Sequence, residues 1–142
     1  MFSSVLEAIG NTPLLRLEKL GRGLPGRVLL KLENRNPGGS IKDRVAAHLL
    51  REALRDGSLQ PSGTIIEATS GNMGIGLALA ARALGVKTIL VMPESMSMER
   101  RKLMAAFGAE LVLTPAALGM KGSVDKAAEL AREGRGLLIG QF

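Results

Sequence analysis

Val28-Leu-Leu-Lys-Leu-Glu-Asn-Arg-Asn-Pro-Gly-Gly-Ser-Ile-Lys-Asp-Arg44 changes from a strand pattern to a helix pattern within one short stretch. The run 28–33 reads as a core strand and stops at Asn36-Pro37, because a residue before proline is driven out of helical geometry. Gly38 and Gly39 then permit backbone angles closed to other residues. Ser40 opens a helix that runs to Asp56-Gly57, and Ser40-x-x-Asp43 has capping-box spacing. On that helix Lys42, Ala46, Leu49 and Ala53 fall on one stripe, with Arg44, His48, Arg51 and Arg55 opposite. Lys42 is therefore expected to face inward at the positive end of a helix. Burial and the helix dipole would both favour its neutral amine, the form that condenses with a carbonyl. On position alone it also reads as a surface lysine whose stem lies along the helix. Gly-Gly-Ser-x-Lys does not satisfy the P-loop pattern.

The alternation recurs to the end of the chain. Residues 64–69, 87–92, 110–114 and 137–141 read as strands, and 74–84, 97–107 and 123–133 as helices. Ahead of them lie a helical turn at 2–9 and a short strand at 14–17. Strands that are apolar nearly throughout, alternating with helices, predict an α/β fold: a parallel sheet of about four to five strands with helices on both faces. Ligands of such sheets gather beyond the carboxyl ends of the strands. The loops 34–40 and 69–74 each follow a strand directly, so both are expected to open there.

A chain of 142 residues is the size of one domain. Its only aromatic residues are 3 Phe, so the core must rest on aliphatic side chains, Ala and Met. With no cysteine there are no disulfides or thiolate metal sites, and no metal is expected. The sequence has neither an apolar run long enough to span a bilayer nor a charged-then-apolar leader pattern, so a cytoplasmic location is expected. The net charge of +6 raises the question of nucleic acid. The cations are scattered apart from Arg100-Arg101-Lys102, and without Tyr or Trp there are few platforms for bases. An anionic cofactor, an anionic substrate or an acidic partner accounts for the charge instead.

Thr69-Ser-Gly-Asn-Met-Gly74 joins a strand to a helix start, where unpaired backbone N–H groups face outward. Gly71 is expected to let the chain turn so that several N–H groups converge on one anion, with Thr69, Ser70 and Asn72 adding side-chain donors. A carboxylate or phosphate suits such a turn, although an ordinary capped helix start reads the same way. Gly71-x-x-Gly74-x-Gly76 is not the dinucleotide fingerprint.

Taken together, these motifs carry a resemblance. Asn36-Pro-Gly-Gly-Ser-Ile-Lys-Asp-Arg44 followed by Glu67-Ala-Thr-Ser-Gly-Asn-Met-Gly74 resembles the cysteine synthases of the β-family (fold type II) of pyridoxal-phosphate enzymes, most closely the B-type O-acetylserine sulfhydrylases. Ile9-Gly-Asn-Thr-Pro-Leu14, Met92-Pro-Glu-Ser-Met-Ser-Met-Glu-Arg-Arg101, Phe107-Gly-Ala-Glu-Leu111 and Gln141-Phe142 extend the likeness along essentially the whole chain. The resemblance implies pyridoxal 5'-phosphate held covalently by Lys42, which would later take the substrate's α-proton. Asn72 would bond the cofactor's ring hydroxyl. Thr69, Ser70, Gly71, Asn72, Met73 and Gln141 would hold the amino acid carboxylate. The implied substrates are O-acetylserine and sulfide or thiosulfate, in a homodimeric enzyme whose small domain closes over them.

Two departures stand beside the likeness. Position 73 is Met where the family usually has Thr, which removes one hydroxyl from the turn. The chain also stops short of the family's length, without the glycine-rich phosphate cradle and the group facing the pyridine nitrogen. By resemblance, residues 1–34 would belong to the large domain and 35–142 would form the small one, with the C-terminal half absent. A fragment of such an enzyme is the expectation. The alternatives are a short non-catalytic paralogue serving as a binding or assembly module, another β-family enzyme such as cystathionine β-synthase, and an unrelated doubly wound nucleotide-binding domain.

Overall fold

In the computed structural model, which describes residues 1–141, the chain ahead of the first long helix builds a ribbon of its own. Strand β1 (Leu14–Arg16) pairs antiparallel with β2 (Leu29–Lys31), with Leu15 opposite Leu30. This corrects the reading of 28–33 as the first strand of the parallel sheet. Leu14, Leu15, Leu29 and Leu30 are all exposed, so the ribbon offers apolar side chains that nothing in the described chain covers.

Helix α1 (Lys42–Asp56) leads into β3 (Thr64–Ala68), α2 (Asn72–Ala83), β4 (Lys87–Pro93), α3 (Met98–Ala106), β5 (Glu110–Thr114), α4 (Gly119–Arg132) and β6 (Leu137–Leu138). The last four strands form one parallel sheet in the order β5-β4-β3-β6. Side chains alternate between its faces, as strand geometry requires. Ile66, Ala68, Ile89 and Val91 pack on Ala127 and Leu130 of α4. Leu90 and Met92 face the other way, onto Ile75 and Ala78 of α2 and Met104 of α3. This is the α/β architecture expected, with four strands and helices on both faces.

Helix α2 is buried continuously from Met73 to Ala81. It lies between the sheet and α1, which is why its sequence is apolar all round rather than striped. Where α1 crosses it, a Cβ on Gly76 would sit 3.0 Å from the Lys42 carbonyl oxygen and 3.2 Å from the Ala46 Cβ. Glycine thus sets how closely the two helices approach.

Two helix starts differ from the sequence reading. α1 begins at Lys42, with Ile41 as its cap residue and no side-chain cap bond. The expected capping box is not made, since the Ser40 hydroxyl accepts from the Lys42 N–H at 3.1 Å and the Asp43 carboxylate from the Gly38 N–H. α4 begins at Gly119, a turn earlier than expected, so Ser123 lies inside it with its buried hydroxyl 2.8 Å from that of Thr114. Among the described residues no helix is long and apolar enough to cross a membrane.

Candidate active site at the carboxyl edge of the sheet

The strand order reverses beside β3: β4 and β5 lie to one side of it and β6 to the other. Such a reversal opens a crevice between the loops leaving adjacent strands. The turn 69–71 leaves β3 here, and residues 139–141 leave β6. Gln141 comes against the end of β3, its Nε2 donating to the Ala68 carbonyl at 3.2 Å and its N–H to the Glu67 carboxylate at 3.3 Å. Phe142 lies outside the described residues. Burial pushes the Glu67 carboxyl above the ordinary range, against the pull of the backbone N–H groups of Gln141 and Gly140.

The start of α2 is open to an anion. Gly71 is its cap residue and gives no side-chain cap bond, and the first turn holds no acid. The first N–H groups of a helix have no partner within it, and the dipole adds positive potential there. Gly71 has φ −128°, an extended conformation open to any residue, so left-handed freedom is not its purpose. A Cβ at position 71 would meet nothing within 4 Å. Thr69 is buried, Ser70 half-buried and Asn72 exposed. Met73 turns inward at 4% exposure and joins the α1–α2 cluster with Ala46 and Leu50, so only its backbone remains at the turn.

Lys42 is exposed, which overturns the expectation of an inward, desolvated amine. The buried face of α1 is Asp43, Ala46, Ala47, Leu50 and Ala53, one position round from the stripe read in the sequence, and Leu49 is exposed with Lys42. An acid takes the core-facing place in the first turn with one oxygen paired and one not: Asp43 Oδ2 accepts from the Gly38 N–H at 2.5 Å, and Oδ1 is buried without a hydrogen-bond partner among the described residues. Burial, with a further contribution from the Glu33 charge, raises the Asp43 carboxyl against that bond. The Lys42 backbone still touches α2 at Gly76, one turn in from Asn72, so the two helices begin near each other.

Sequence reading missed two contacts. Arg100 Nη1 donates to the Ser70 carbonyl at 3.3 Å, tying α3 to the turn. Arg44 grips Glu33 with both arms of its guanidinium, Nε to Oε2 at 2.8 Å and Nη2 to Oε1 at 2.9 Å. Hydrogen bonds from Arg44, Thr12 and Asn36 hold the Glu33 carboxyl down at about 2. A carboxyl depressed on folding stabilises the fold fully above its ordinary value of 4.5, and that contribution is lost as pH falls through about 2. Glu33→Gln is accordingly expected to flatten the loss of stability between those pH values. Urea midpoints for both proteins at pH 6, 4 and 3 should converge toward acid, and parallel pH dependence would contradict the assignment.

The arrangement offers an exposed lysine at the start of α1 and, where α1 crosses α2, an uncapped helix start at the carboxyl end of β3, with no atom within 4 Å of a Cβ placed on Gly39 or Gly71. That donor set fits one side of an aldehyde cofactor and the carboxylate of an amino acid. No cluster of metal-ligating side chains occurs among the described residues.

Comparison with known proteins gives a consistent picture. Residues 5–142 match the family described as pyridoxal-phosphate dependent enzyme. A cysteine synthase of Flavobacterium sp. is 56% identical over 132 residues, covering 93% of this chain and 43% of that protein. Cysteine synthase B of Pseudomonas aeruginosa is 46% identical over 141 residues, covering 99% of this chain and 47% of that protein. Among solved structures, a cysteine synthase from Entamoeba histolytica superposes with a TM-score of 0.93 at 39% identity, over 98% of this chain and 43% of its own. The chain thus spans less than half the length of each of these relatives.

Proposed function

The chain belongs to the family of pyridoxal-phosphate dependent enzymes, and from that premise we propose that it forms the lysine-bearing small domain of a cysteine synthase. The reaction is replacement of the acetoxy group of O-acetyl-L-serine by sulfide, giving L-cysteine, or by thiosulfate, giving S-sulfocysteine. One observation carries this reading: the uncapped start of α2 lies at the strand-order reversal beside Gln141, with the Lys42 helix crossing one turn away.

In this reading Lys42 holds the cofactor through its amine, and Asn72 bonds the ring hydroxyl. When bound, the cofactor supplies the electron sink for bond breaking at the amino acid α-carbon. The substrate carboxylate is received by the side chains of Thr69, Ser70, Asn72 and Gln141 and by the backbone N–H groups of Ser70, Gly71, Asn72 and Met73. The Thr69 N–H is not among them, since it donates to the Val91 carbonyl at 3.0 Å. Because the Met73 side chain is spent in the core, its backbone alone serves the site. Lys42 Nζ is free to act as a base only after the substrate's amine has taken its place on the cofactor. The substrate, held by its carboxylate, then gives its α-proton to Lys42 Nζ as the β-carbon–oxygen bond breaks and acetate leaves, and that proton returns to the α-carbon when sulfide bonds the β-carbon.

Residues 35–142 act as the small domain, and residues 1–34 dock on the remainder of the enzyme through the exposed leucines of the ribbon. A cytoplasmic homodimer completes the reading. The whole protein, loaded with pyridoxal phosphate and given O-acetylserine and sulfide, is expected to release acetate and form cysteine in equal amounts. Cofactor uptake with neither product would overturn the assignment.

A further inference from the structure

Arg44 lies at the centre of a cluster that joins two separate stretches to the first turn of α1. Besides gripping Glu33, its Nη2 donates to Thr12 Oγ1 at 3.2 Å, and the Thr12 hydroxyl donates to Glu33 Oε1 at 2.6 Å. Asn36, buried at 4% exposure, donates to Glu33 Oε2 at 2.9 Å and accepts from the Gly10 N–H at 2.8 Å. Gly10 has φ +94°, and a Cβ there would fall 2.9 Å from Arg44 Nη1. The positive φ strains any other residue here, and a Cβ would also displace a guanidinium held by three charge-assisted or hydroxyl bonds. Thr12 and Glu33 are in this way bonded directly to the helix that starts at Lys42, and Gly10 and Asn36 are bonded to it through Glu33.

The opposite side of Lys42 is fixed by Asp43, whose carboxylate holds the Gly38 N–H. The lysine stands between these two attachments on an otherwise exposed turn. A planar fork matched to a carboxylate sets orientation as well as distance, which a point charge does not. We infer that Arg44 is a positioning residue: with Glu33, Thr12, Asn36 and Gly10 it fixes the loop 36–41 and the first turn of α1, and so the direction from which Lys42 reaches its ligand. The inference rests on the proposed role of Lys42 for its consequence, but not for its geometry.

The test uses the 142-residue protein with Arg44→Gln and Arg44→Lys. Amide hydrogen exchange by mass spectrometry reads the clamp without any ligand. Pyridoxal phosphate followed by borohydride and peptide mapping reads Lys42. Arg44→Gln is expected to speed exchange in residues 36–43 about tenfold or more while β3 and β4 are unchanged. It should also cut fixation at Lys42 relative to the other lysines about fivefold or more, a loss of roughly 1 kcal/mol in selectivity. Arg44→Lys, with charge but no fork, should fall between. Unchanged exchange at 36–43, or acceleration spread evenly over the whole chain, would overturn the inference. If the parent protein shows no preference for Lys42, the proposed function fails while the exchange result still decides whether Arg44 is the clamp.

Discussion

Gly76→Leu is expected to cost about 3 kcal/mol or more of folding stability, the upper part of the range for overpacking. The first atom of any side chain at this position meets the Lys42 carbonyl oxygen at 3.0 Å and its carbonyl carbon at 3.1 Å. These are backbone atoms, so they yield only if α1 moves as a body. Replacing a helical glycine gains at most about 1 kcal/mol in propensity, which is too little to offset the contact. Since domains are stable by only about 5–15 kcal/mol, the urea midpoint should fall sharply. The displaced helix carries Lys42, so the variant should also lose selective cofactor fixation under conditions where it remains folded. A midpoint within error of the parent would show that the helices do not cross as described.

Lys42→Ala is expected to do the reverse, leaving the fold alone and removing the chemistry. Lys42 is exposed, so stability should change by no more than about 0.5 kcal/mol. Cysteine formation by the whole protein should fall about 10³-fold or more, since one amine serves as both cofactor anchor and proton acceptor. The pyridoxyl label fixed by borohydride should vanish from the α1 peptide. A variant that retains the label there, or makes cysteine at the parent rate, would remove Lys42 from the reaction.

Much of the fold was legible because its sheet strands are apolar on both faces and punctuated by glycine or proline. The turn at 69–74 was legible for the same reason, with Thr69 closing a strand and Gly71 preceding a helix. Residues 28–33 misled because an apolar strand looks alike in a parallel sheet and in an antiparallel ribbon; only its partner β1 distinguishes them. The α1 stripe lies one position round from its apolar pattern because an acid, Asp43, occupies the buried face with one oxygen bonded to the Gly38 N–H. That single shift turns Lys42 outward. Met73 was read as a missing hydroxyl at the turn, yet its side chain fills the α1–α2 core. The Arg44 cluster left no pattern to read, since its members span residues 10–44 and meet only once the chain is folded. Its two halves were nonetheless present as motifs, 9–14 and 36–44, and the hydrogen bonds between them give those motifs a shared physical purpose.

On the proposed reading, one lysine and one helix start serve the same ligand at one edge of the sheet. A crystal structure of the protein treated with pyridoxal phosphate and borohydride tests it most directly. The expected result is a pyridoxyl group extending from Lys42 Nζ with its ring hydroxyl at Asn72 and the N–H groups of 71–73 facing the remaining space. A pyridoxyl group directed away from α2, or distributed over surface lysines with Lys42 unmodified, would contradict it.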